Sequence, residues 1–156
     1  MNGLKLSLYP SPTERNALFD TMEAFNEARN IVLEEARLND CFNKHKLSKL
    51  FYHQIKNDFL LPSQLAVCTI TTVVEDYKRN KLPMQYEKFS DVFYDKRVIS
   101  FKGLYIASIA TTIGRVPIKF TFDEYFSWVD APKQKDSAIL TYQSQPNTFH
   151  LSVVIA

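Results

Sequence analysis

Six side chains between positions 44 and 56 have the chemistry to hold a polyanion: Lys44, His45, Lys46, Lys49, His53 and Lys56, set beside Phe51 and Tyr52. Lys46, Lys49, His53 and Lys56 follow one another at spacings of three and four, which on a helix places them on one face, opposite Leu47 and Leu50. Such a row suits a phosphate backbone, whose attraction is independent of sequence and weakens with salt. A solvated helix face carries the same pattern. A second group, Tyr77, Lys78, Arg79 and Lys81, closes a predicted helix. Its cations either complement the helix dipole or meet phosphates, with Tyr77 or Tyr86 stacking on a base. In a third group Lys96, Arg97 and Lys102 alternate with Phe93, Tyr94, Phe101 and Tyr105. Small barrels that bind oligonucleotides use this mixture, although core packing explains the aromatics equally well. Arg115 stands at a predicted hairpin tip, the most exposed of these positions by turn logic. Arg29 sits beside an apolar helical stripe, either snorkelling from the core or gripping a phosphate.

Other chemistries find no constellation. Gly3, Gly103 and Gly114 are the three glycines, too scattered for a nucleotide-binding loop. Cys41 and Cys68 lack CxxC spacing, and three histidines add no zinc signature. Metal-assisted phosphodiester cleavage needs several converging carboxylates. The acids here fall on helix faces (Glu23, Glu27, Glu34, Glu35, Glu75, Asp76) or in turns (Asp95, Asp123, Glu124). His150 has no Cys or Asp partner at ligand or triad spacing. No catalytic residue, metal or cofactor is therefore expected, and the chain reads as a binding protein rather than an enzyme.

The elements that position these residues follow from periodicity. The 156 residues can form one domain and bury about 68–70% of the unfolded surface, with no staple needed. The composition, 46% hydrophobic and 23% charged at a net +2, is that of a globular protein and by itself implies no nucleic acid. Two isolated cysteines and a start without an apolar secretory region fit a reducing cytoplasm, and no apolar run is long enough to span a membrane. Leu4, Leu6 and Leu8 alternate with polar residues as a strand. Ser11-Pro12-Thr13-Glu14 is a capping box with proline at the first helical position, and the stripe Leu18, Met22, Phe25, Val32, Leu33, Ala36 predicts a helix from Pro12 to Leu38. Tyr9, ahead of the cap, is expected to act as a hydrophobic staple. Leu47, Leu50, Phe51 and Ile55 mark a second helix, and Leu65 to Tyr77 a third, ending near Arg79-Asn80.

From Asp95 the apolar period becomes two. Strands are predicted at Val98–Phe101, Leu104–Ile109, from Val116 to Phe122, and in a closing hairpin across Gln145-Pro146-Asn147. Pro117 implies an edge or a bulge. A short helix is expected to start at Phe122–Phe126. Five or six short strands with such turns make a small antiparallel barrel. A lone first strand is unstable in water, so it must pair into the later sheet. The expected fold is α+β: a barrel from residues 1–10 and 91–156, with residues 11–90 a three-helix insertion between its first and second strands.

This order, with the segments Leu8-Tyr9-Pro10-Ser11-Pro12-Thr13-Glu14, Phe25-Asn26-Glu27-Ala28-Arg29-Asn30, Leu61-Pro62-Ser63-Gln64, Val74-Glu75-Asp76-Tyr77-Lys78, Gly114-Arg115-Val116-Pro117-Ile118 and Thr148-Phe149-His150-Leu151-Ser152-Val153, resembles the N-terminal half of the TnpB (OrfB) proteins of insertion sequences, relatives of the compact type V CRISPR effectors. The resemblance implies a wedge-type, OB-like barrel with a helical recognition insertion, holding guide RNA and the RNA–DNA duplex. It also implies a following RuvC-like nuclease, opened by a Gly-Ile-Asp-type strand, and a zinc ribbon. Neither is in this sequence, so the chain is expected to be the front half of a longer protein, a transposase remnant or a standalone homologue without nuclease activity. A protein-interaction module using the aromatic-rich sheet or the helices is the rival class.

Overall fold

The computed structural model describes residues 3–122 and 135–155. The chain runs β1 (Gly3–Tyr9), α1 (Pro12–Leu38), α2 (Lys44–Asp58), α3 (Ser63–Lys78), β2 (Val92–Asp95), β3 (Ile99–Lys102), β4 (Ile106–Thr111), β5 (Gly114–Phe122), β6 (Lys135–Gln143) and β7 (Thr148–Ile155). The strands form one antiparallel sheet in the order β2-β6-β7-β1-β5-β4-β3, curled into a nearly closed barrel. Its two edge strands, β2 and β3, follow one another in the chain. The Tyr94 hydroxyl, fully buried on β2, donates to the Ala110 carbonyl of β4 at 3.0 Å near the open seam.

β1 does pair into the later sheet, against β5 on one side and β7 on the other. Its Leu4, Leu6 and Leu8 point into the core while Lys5 and Tyr9 face outward. The three helices thus form an insertion between β1 and β2. They share a single apolar core with the barrel, into which Leu18, Met22 and Phe25 of α1 and Leu65, Ile70 and Val73 of α3 all enter. Burying these side chains is what stabilises the insertion, since most helical stability in a folded protein comes from packing an apolar face rather than from propensity.

The helix starts follow local chemistry. The Glu14 N–H donates to Ser11 Oγ at 3.2 Å and the Ser11 N–H to Glu14 Oε1 at 2.9 Å, so the capping box is complete. Asn43 caps α2 by accepting from the Lys46 N–H at 3.0 Å. The helix ends are less ordinary. One residue past each C-cap the backbone turns left-handed, at Asp40 (φ 46°), Leu60 (φ 55°) and Asn80 (φ 55°). For α1 and α3 these are Schellman motifs: the Cys41 N–H donates to Ala36 O at 2.9 Å, and the Lys81 N–H to Asp76 O at 2.8 Å. Glycine usually fills this position, because a Cβ is disfavoured there. This chain places two of its three glycines instead in hairpin turns with positive φ, Gly103 and Gly114.

Three sequence expectations shift. A seventh strand exists because pairing begins at Val92, before the alternation becomes visible at Asp95. The strand expected from Leu104 starts at Ile106, since Gly103 at φ 65° turns the chain there. Pro117 lies within β5 rather than in an edge strand, yet β1 pairs with β5 only at residues 119–122. The Phe120 N–H donates toward β4, to Tyr105 O. By strand alternation, the Pro117 nitrogen faces the opposite side, past the end of β1, so it is locally at an edge and no ladder bond is lost. The helix expected from Phe122 to Phe126 lies, beyond Phe122, outside the described residues.

Candidate nucleic-acid interface

α2 presents the cationic row. Leu47 and Ile55 are its buried residues, and they fix which side faces the core. Lys46, Lys49, His53 and Lys56 are consequently all exposed. Among the described residues none of these lysines has an ion-pair partner; the ion pairs that do form are Lys78–Glu75 at 3.9 Å and Lys88–Glu23 at 3.6 Å. Leu50, expected in the apolar stripe, is 66% exposed instead. It lies at i+4 from Lys46 and i−3 from His53, so it belongs to the cationic face.

The cluster after α3 is partly committed. Tyr77 is half-exposed, and its ring stacks on Phe42 with centroids 4.0 Å apart and planes 3° apart, so one face is closed to a base. Lys78 pairs with Glu75, Arg79 is the C-cap, and the Lys81 N–H completes the Schellman motif. The side chains of Lys78, Arg79 and Lys81 are exposed. Tyr86 offers no stacking surface: it is buried and its hydroxyl donates to Asp76 Oδ2 at 2.8 Å.

Arg29 is withdrawn from the surface. It is 6% exposed, donates to Asn26 Oδ1 through Nε at 3.2 Å and Nη2 at 2.5 Å, and to the Asp91 carbonyl at 3.2 Å. Loss of water lowers its pKa, although a guanidinium stays charged at any ordinary pH. Asn26 in turn donates to the Lys88 and Ser90 carbonyls. The pair fastens the segment leading into β2 onto α1. Arg29 thus spends its donors inside the fold, away from the surface a phosphate would reach.

On the barrel, Lys96, Arg97 and Lys102 are exposed. Arg97 donates from Nη1 to Gln64 Oε1 at 3.1 Å, and Gln64 Nε2 to Asp95 Oδ2 at 2.6 Å, which ties the start of α3 to the β2–β3 turn. Arg115 also reaches back rather than out. Its Nη2 donates to the Arg97 carbonyl at 2.6 Å and its Nη1 to the Ser108 carbonyl at 3.2 Å. The aromatics are not a stacking platform. Tyr94 is buried, Phe93 and Phe101 are half-buried against the core, and only Tyr105, at 55%, is mostly exposed.

Strand pairing gathers cations that the sequence scatters. Lys102 of β3 is in register with Ile106 of β4, and Ile106 with Lys119 of β5, so the lysines flank one residue on the outer face, about 10 Å apart. Lys119 is opposite Tyr9, and Lys5 opposite Ser152. His150 is opposite Ser7 and Thr141. Its Nε2 lies 3.1 Å from Thr148 Oγ1. Burial first, and Lys5 second, lower its pKa, which favours the neutral imidazole. Tyr9 is no staple: it is 60% exposed on this face, and its hydroxyl accepts from Thr121 Oγ1 of β5 at 3.3 Å. Lys5 and Lys119 escaped sequence reasoning; the signal was a cation at the polar positions of alternating strands.

Chemically, these surfaces offer ammonium, guanidinium and hydroxyl donors, which suit phosphodiester oxygens. Among the described residues no group of three or more His, Cys, Asp or Glu is placed to hold a metal. No helix among them is long and apolar enough to cross a membrane. No family model and no curated protein matches the chain.

Proposed function

We propose that this protein is a nucleic-acid-binding module that grips phosphate backbones through the face of α2 carrying Lys46, Lys49, His53 and Lys56. The observation that carries the reading is that this row is exposed, continuous over three helical turns and without an ion-pair partner among the described residues. Lysines that only solvate a helix face are commonly interleaved with carboxylates at i+4. Here the first acid on the helix is Asp58, its last residue. Lys102 and Lys119 on the barrel form a second positive patch. The insertion of helices between the first and second strands agrees with the TnpB-type order that the sequence resembles. On that resemblance the ligand is structured RNA and an RNA–DNA duplex held by shape, with base pairing supplying sequence specificity. Cutting would belong to a nuclease domain outside these residues. The site of action is the cytoplasm, where the free Cys41 and Cys68 stay reduced.

The test is affinity against salt. Three phosphates neutralised by Lys46, Lys49 and Lys56 give a log–log slope of about −2.7 on a duplex. Replacing all three by Gln should remove that contribution while leaving thermal unfolding unchanged. No binding to RNA, DNA or hybrid at about 50 mM salt, or a flat salt response, would sink the proposal and favour a protein partner.

A further inference from the structure

The cationic row ends at a groove of about 410 Å³ between the α2–α3 turn and the tip of the β4–β5 hairpin. It is a shallow depression open to solvent, with room to hold one flat group against its wall and leave the rest of a ligand outside. Leu60 and Pro62 supply apolar wall on one side, and Thr112 and Gly114 stand opposite. Lys56, the last cation of the row, and Asn57 stand beside them. Leu60 is held left-handed at φ 55° and is 71% exposed. A bulky residue in that region is an outlier, and such outliers gather at functional sites.

Charge decides what can follow Lys56. Beyond it come the exposed Asp58 and the carbonyl end of α2, both of which disfavour a phosphate. An uncharged, flat group faces no such penalty. It would gain an apolar wall and the Asn57 amide, which can both donate and accept. The geometry points to one unstacked nucleobase in this groove, belonging to a strand whose phosphates lie on Lys46, Lys49 and Lys56. This rests on the nucleic-acid reading above and adds to it the capture of one unpaired nucleotide, such as a loop of structured RNA or a single strand supplies.

Leu60→Gly and Leu60→Asn remove the larger, exposed part of the apolar wall while suiting the left-handed backbone, so neither variant should unfold. The probe is an adenine dodecamer with a central 2-aminopurine, which fluoresces more when unstacked. Wild-type protein should raise that signal. Both variants should lose the rise and bind the oligomer about tenfold more weakly, from the apolar burial against Leu60 that is lost, while melting no lower than wild type and binding duplex as before. Unchanged signal and affinity in Leu60→Gly, with binding still weakened by Lys46→Gln and Lys49→Gln, would overturn the groove assignment and leave the backbone reading standing. Failure of wild type to bind any nucleic acid would overturn both.

Discussion

The guanidinium of Arg29 lies 3.7 Å from the centre of the Tyr86 ring, and the hydroxyl of that ring donates to Asp76 Oδ2 at 2.8 Å. One buried cation thereby connects α1, the 80–91 segment and α3. The arrangement needs a planar group that stacks and donates at the same time, which an ammonium cannot supply.

Arg29→Lys should therefore destabilise the fold by about 2 kcal/mol in urea unfolding, and Arg29→Ala by more. Folded protein should keep its nucleic-acid affinity in both. A variant of unchanged stability but weakened binding would return Arg29 to the interface.

The three helix ends predict a ranked series. Leu60→Gly should stabilise by about 1 kcal/mol, because the left-handed cost disappears and little burial is lost. Asn80→Gly should change little, since asparagine tolerates this region, with Asp40→Gly between them. Calorimetric melting of the three variants checks the order. A drop in melting temperature for Leu60→Gly would show that its side chain contributes more to the fold than its exposure implies.

Cys68 is buried 3.9 Å from Asp95 Oδ2, and burial first, then the Asp95 charge, push its thiol up from 9.0 to about 12. A raised folded value means that the protonated thiol is favoured by folding. That contribution is complete below the unfolded value and is lost as pH rises from about 9 toward 12. Iodoacetamide at about pH 8 should accordingly label Cys41 in the folded protein and Cys68 only after unfolding, as read by mass spectrometry. Rapid native labelling of Cys68 would contradict this packing.

What could be read in advance was local. The Ser11–Glu14 capping box fixed the start of α1, because caps depend on four adjacent residues. The lysine spacing on α2 was legible for the same reason. Leu50 was not: a leucine at helical spacing looks like core until the neighbours of the helix are known. Arg29 posed the mirror problem, since its partners, Tyr86 and the Asp91 carbonyl, lie about sixty residues away. Lys102 and Lys119 became neighbours only through the register of β3, β4 and β5, which alternation in a single strand does not specify.

The placement of β1 also sets an order of events during synthesis. It is made before every other strand among the described residues, yet its Leu8 pairs with Phe120 and Phe149, both more than a hundred residues later. The helices, whose contacts are mostly local, can collapse while β1 still lacks both partners. Its leucines must wait in a nascent chain, where unpaired apolar strands invite aggregation. The inserted helices are partners available during that wait, and Leu4, Leu6 and Leu8 share their core. The insertion would then shelter the first strand until β5 and β7 arrive.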